Sequence, residues 1–166
     1  MRKSRTLLIG LALLLCLIPV LLVSSFNALE HYQLRRARNG LEAVKAKLTT
    51  PGSFELITTV STDFPGVNLG TCYYARDYLI MGTTLTETQA LDMYENHLRS
   101  VGWLPGERQY LNTRVFYSGD NVFLVVTTIG PGDDTRDAVD YERLKQEYES
   151  VVFVRLEFQL PSTSEC

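Results

Sequence analysis

Two histidines, three cysteines and a group of aspartates are the residues of this chain whose types suit catalysis or metal binding. His97 has Asn96 beside it and no Cys or second His at ligand spacing, and His31 lies in a different segment, so zinc has no ligand set. Neither G-x-S-x-G nor H-E-x-x-H occurs, which leaves hydrolase chemistry without a motif. Cys72 would act as a nucleophile only if the fold brought it a base such as His97; following Gly70 and Thr71 on a strand, it reads as a structural thiol. Asp133, Asp134, Asp137 and Asp140 offer oxygens at helical spacing to calcium or magnesium, but acids near a helix N-terminus also answer its dipole, and that is the reading adopted. No catalytic, cofactor or metal site is therefore expected, and the chain reads as non-enzymatic.

The aromatic residues are a stronger candidate. Tyr73, Tyr74, Tyr78, Tyr110, Phe116, Tyr117 and Phe123 gather in two expected strand pairs. If one sheet face lacks a covering helix, they form a platform for a protein partner, with Tyr73, Tyr78, Tyr110 and Tyr117 as contact residues; otherwise they are core. Cys72 and Cys166 could pair in an oxidising compartment and clamp the C-terminal tail to a strand, provided their α-carbons come within about 7 Å. Sequence leaves that open.

The elements that must position these residues begin with Leu7 to Phe26, an uncharged and almost wholly apolar run. As a helix it is about long enough to cross a ~30 Å hydrocarbon core. Arg2, Lys3 and Arg5 precede it, so residues 1–6 are expected as a cytoplasmic tail, 7–26 as a single-pass anchor, and the remainder in the periplasm or outside the cell. The alternative is a cleaved signal peptide, with Pro19 breaking the helix and Val23 and Ser25 as small residues before the cut; the length of the run and the lack of an A-x-A site favour the anchor. Cys16 follows Leu13, Leu14 and Leu15 rather than a small residue, so it reads as a packing side chain and not a lipidation site.

Charge divides the chain. Residues 1–49 hold eight Lys and Arg against Glu30 and Glu42, whereas residues 50–166 hold eight basic against seventeen acidic residues. An acidic domain repels phosphate backbones, which excludes nucleic acid as the expected partner. The basic stretch after the anchor either meets anionic headgroups or is simply a solvated helix face.

From Asn27 to Leu48 the pattern is helical, and Leu34, Ala37, Leu41, Val44 and Leu48 recur at coiled-coil spacing. Residues 27–50 are thus expected as a juxtamembrane helix, either a homodimer stalk through Leu34, Leu41, Val44 and Leu48 or a helix packed on its own domain. Thr49 to Gly52 end it. Residues 51–160 then read as strands at 54–61 and 71–81, a helix at 87–101, a hairpin of 108–117 with 122–129, a helix at 133–149 and a strand at 151–160, followed by a tail at 161–166. Thr86 and Gln89 form a capping-box pattern, and Gly102 a C-terminal stop, for the first of these helices. The order ββαββαβ lacks parallel crossovers and implies an α+β fold: about five antiparallel strands with helices on one face.

The run from Thr84 to Val126, with Tyr94, Leu98, the Gly102-Trp103 pair and the following hairpin, resembles a small α+β module of bacterial lipoproteins and single-pass envelope proteins. The layout of tail, membrane helix, stalk and sheet domain is similar to that of inner-membrane assembly proteins of secretion and pilus machines. The resemblance implies a fold and an envelope location, and no site residue. Together these readings give a membrane-anchored envelope protein working through protein contacts; the alternative is an exported ligand-binding or enzymatic module with its site on the aromatic sheet face.

Overall fold

The computed structural model describes residues 2–64, 74–106, 112–119, 121–128, 130 and 138–160, without the side chains of 2–17, 19–22, 26, 63 and 64. Helix α1 (Arg2–Lys45) is followed by β1 (Phe54–Phe64), β2 (Tyr74–Thr83), α2 (Glu87–Ser100), β3 (Leu104–Pro105), β4 (Thr113–Tyr117), β5 (Val122–Thr127), α3 (Tyr141–Glu147) and β6 (Ser150–Gln159). The α+β class stands, but the sheet has six strands rather than five, in the order β1-β2-β6-β5-β4-β3. The added strand is the two-residue β3, too short to show an alternation in sequence.

Every strand pair is antiparallel. β6 takes the centre, between β2 and β5, because it carries apolar residues on both faces: Val152, Val154 and Leu156 on one, Val151 and Phe153 on the other.

The first face holds the main core. Ala37 and Leu41 of α1 and Ala90, Leu91, Tyr94 and Leu98 of α2 pack on Ala75, Leu79, Met81, Leu124, Val126, Val152, Val154 and Leu156. Val44 and Leu48 join the same cluster. Of the seam, Leu41, Val44 and Leu48 therefore pack within the chain, Leu41 being fully buried, so the C-terminal part of α1 lies against the sheet.

Helix α2 forms where the capping signals place it. Thr86 and Gln89 make a reciprocal capping box. At the other end Gly102 takes φ 91°, with Gly102 N–H donating to Arg99 O at 3.1 Å and Trp103 N–H to Leu98 O at 3.0 Å, the paired bonds of a Schellman stop. That turn sends Trp103 into the core.

The second face corrects the expectation of helices on one side only. α3, capped by Asp140, lays Leu144 against Ile80, Val151 and Phe153, with Tyr141 and Tyr148 beside it. It is seven residues long, shorter than the helix expected over 133–149, and residues 131–137 lie outside the described residues. Among the described residues no helix is long and apolar enough to cross a membrane. The backbone of 7–26 is helical within α1, while most of its side chains, Cys16 included, lie outside the described set.

Candidate functional site

Because successive strand residues face opposite ways, register decides which side chains meet. On the second face Arg76 of β2 pairs with Glu157 of β6, which pairs with Phe123 of β5, which pairs with Tyr117 of β4. One row along, Tyr78, Arg155, Val125 and Val115 stand side by side in the same way. The next row, Ile80 and Phe153, is the one α3 covers. The cluster around Leu144 of α3 also takes in Val60, the β1 neighbour of Tyr78, but none of Val115, Tyr117, Phe123 or Val125.

This open half combines aromatic surface with two arginines. The Arg76 Nε donates to Glu157 Oε2 at 2.7 Å, and its Nη1 donates to the Tyr78 hydroxyl at 3.2 Å. Its guanidinium also stands 5.2 Å from the Tyr74 ring centre and 5.9 Å from that of Tyr78. Burial by itself would push the Arg76 proton affinity down; the Glu157 carboxylate more than offsets that, and the guanidinium is held above its ordinary value. Arg155 lies 5.5 Å from the Phe123 ring centre. A depression of about 240 Å³ opens beside it, lined by Tyr78, Thr113, Val125, Thr127, Phe153 and Arg155.

The sequence-derived candidates divide accordingly. Tyr78 lines the depression, and Tyr117, on the same face, is 46% exposed. Phe116 turns the other way and is core. Tyr73 and Tyr110 lie outside the described residues, as do both members of the Cys72 and Cys166 pair. Arg76 and Asp77, adjacent in β2, face opposite sides of the sheet. β5 buries Val122, Leu124 and Val126 and leaves Phe123, Val125 and Thr127 half-buried.

The residues with chemical potential are engaged structurally. His97 Nε2 sits 2.8 Å from Thr49 O and 3.0 Å from Thr49 Oγ1, tying α2 to the segment after α1. His31 is exposed on α1. Asp140 is spent as the α3 cap; Asp133, Asp134 and Asp137 lie outside the described residues, among which no group of three or more His, Cys, Asp and Glu is placed to hold a metal ion. Sequence reading passed over Arg155, Val125 and Phe153. The available signal was a lone cation in the apolar run Val151 to Leu156, since a charge inside a central strand needs a local reason. No protein family, curated protein or solved structure matches the chain.

Proposed function

We propose that this chain is a single-pass membrane protein, N-terminus in the cytoplasm, whose exported α+β domain is non-enzymatic and acts through protein contacts of its half-open sheet face. The observation that carries the reading is the row of Tyr78, Arg155, Val125 and Val115, flanked by Phe123 and the exposed Tyr117, none of which belongs to the cluster that α3 forms. Aromatic residues and arginine on one patch are the composition of contact hot spots.

The anchoring half of the reading rests on the uncharged run Leu7 to Phe26 and on the continuity of α1. From Phe26 to the first core residue, Ala37, a helix rises only ~16 Å. The domain would therefore ride close to the membrane surface, with exposed Arg35 and Arg36 at headgroup height and Arg38 turned inward to Asp77. The reading takes the partner to be another protein rather than a second copy joined through Leu34, Leu41, Val44 and Leu48, and the packing of Leu41, Val44 and Leu48 in the chain's own core supports that choice.

Protease treatment of intact spheroplasts, followed by fractionation, tests the topology. A full-length membrane-bound chain trimmed from outside to a short stub supports it. A soluble chain lacking the segment through Phe26 overturns it and brings forward a released ligand-binding domain. A photo-crosslinking residue at Tyr117 should then trap a discrete protein neighbour, whereas the same residue at Thr88, exposed on α2, should not; equal trapping at both positions removes the open face from the account.

A further inference from the structure

The least satisfied charged group on the open face is Arg155. Its Nε is buried without a hydrogen-bond partner, and among the described residues its guanidinium makes no ion pair. The groups around it are already committed. Glu157, two positions along β6 on the same side, holds Arg76. The Tyr78 hydroxyl accepts from Arg76, Thr113 Oγ1 donates to Thr127 Oγ1 at 3.1 Å, and Thr127 Oγ1 donates to Asn112 O at 3.0 Å. A buried guanidinium donor left unpaired is costly, so a position that keeps one beside a depression points to an acceptor that comes from outside.

We infer that the depression beside Arg155 binds a monocarboxylate carried on a compact apolar body. The inference rests on the open-face reading above and names the chemistry that face receives. Guanidinium nitrogens in a planar fork match the two oxygens of a carboxylate. A single charge is indicated because the neighbouring cation, Arg76, is neutralised by Glu157 and the domain as a whole is acidic, which disfavours a phosphate dianion. The apolar body is indicated by Val125 and Phe153 in the wall. At about 240 Å³ the space suits one residue-sized group rather than a large cofactor. A free branched or aromatic acid and the C-terminal residue of a polypeptide share this chemistry.

The full chain in detergent micelles, titrated with N-acetyl-leucine and with N-acetyl-leucinamide while the backbone N–H resonance of Phe153, in the wall of the depression, is followed, tests the inference. The acid should saturate with a dissociation constant of about a millimolar, the range for a ligand of about a dozen heavy atoms, and the amide should bind at least tenfold more weakly. Arg155→Met should abolish the difference between them. Val125→Phe, which keeps the arginine and fills the depression, should abolish binding of both, so the result does not depend on one variant folding. A leucine-terminated hexapeptide binding tighter than N-acetyl-leucine identifies a polypeptide terminus, and equal binding identifies a free acid. Equal shifts with acid and amide, or binding unchanged in Arg155→Met or Val125→Phe, overturn the inference. Those outcomes would leave the cross-linking result at Tyr117, and with it the contact reading, untouched.

Discussion

Lys45, in the last turn of α1, places its Nζ 2.6 Å from Oδ2 of Asp77 in β2. Arg38, two turns earlier, binds Oδ1 of the same carboxylate, and its Nη2 also donates to Thr62 O at 3.2 Å. The carboxylate is wholly buried, whereas the side chains of Arg38 and Lys45 keep 22% and 29% of their exposure. The asymmetry sets the first expected outcome. Replacing both bases with methionine strands a buried anion and should cost about 3–5 kcal/mol in urea unfolding. Asp77→Asn lets both cations turn to water and should cost about 1–2 kcal/mol. Equal losses would mean that the three groups do not form one buried unit.

The same cluster fixes the pH response. Burial alone would raise the Asp77 carboxyl, but hydrogen bonds from Lys45, Ser61 and Arg38 outweigh it and hold the group below its ordinary value. Glu95 is lowered in the same way: burial opposes, while Arg99 and Arg114 prevail. A depressed carboxylate contributes stability that is present above its unfolded value, near 4, and is lost as pH falls through its folded value. The urea midpoint should therefore hold from neutral pH to about 5 and decline below about 4, less steeply in Asp77→Asn. Lys45 runs the other way: burial lowers it, but Asp77 and Glu42 raise it overall. Its contribution should be complete below about pH 10.4 and fade as pH climbs through the raised value. A midpoint with the same acid slope in wild type and Asp77→Asn would remove this carboxylate from the account.

Tyr94 is fully buried on α2, and its hydroxyl is among the buried polar atoms without a partner. Burial pushes that hydroxyl well above the ordinary tyrosine range. The ring is well placed, 5.4 Å from Phe54 and edge-on at 88°. Tyr94→Phe keeps the ring and removes the unsatisfied oxygen, so it should stabilise the domain by about 1 kcal/mol, or a rise of roughly 4–8 °C in Tm. A loss of similar size would show that the hydroxyl has an ordered partner.

What sequence could and could not reach follows from the range of each signal. The α2 caps follow local rules, and Thr86, Gln89 and Gly102 stand as those rules require. The burial of Leu41 was ambiguous because a helical apolar seam serves a partner helix or a sheet equally well, and only tertiary packing chooses. The place of α3 on the second face depends on Phe153 and Ile80 being exposed by strand pairing, which no local window contains. Arg155 was missed for the same reason, since its neighbours Tyr78 and Val125 come from strands distant in sequence.

Gly40 is the clearest instance of a residue whose role appears only in three dimensions. In the heptad pattern it is an interruption; in the fold it is where α1 meets β6, and a Cβ there would stand 2.5 Å from the Phe158 ring. Alanine gains about 1 kcal/mol of helix propensity over glycine, but forcing the ring aside in a packed interface costs about 1–3 kcal/mol. Gly40→Ala should therefore be neutral to destabilising in wild type. In a Phe158→Leu background, where the obstructing ring is gone, the propensity gain should emerge as net stabilisation. The double-mutant cycle should report a coupling of about 1–2 kcal/mol between the two positions. Additive effects would mean that the ring moves freely and that the glycine is not required for the approach of helix to sheet.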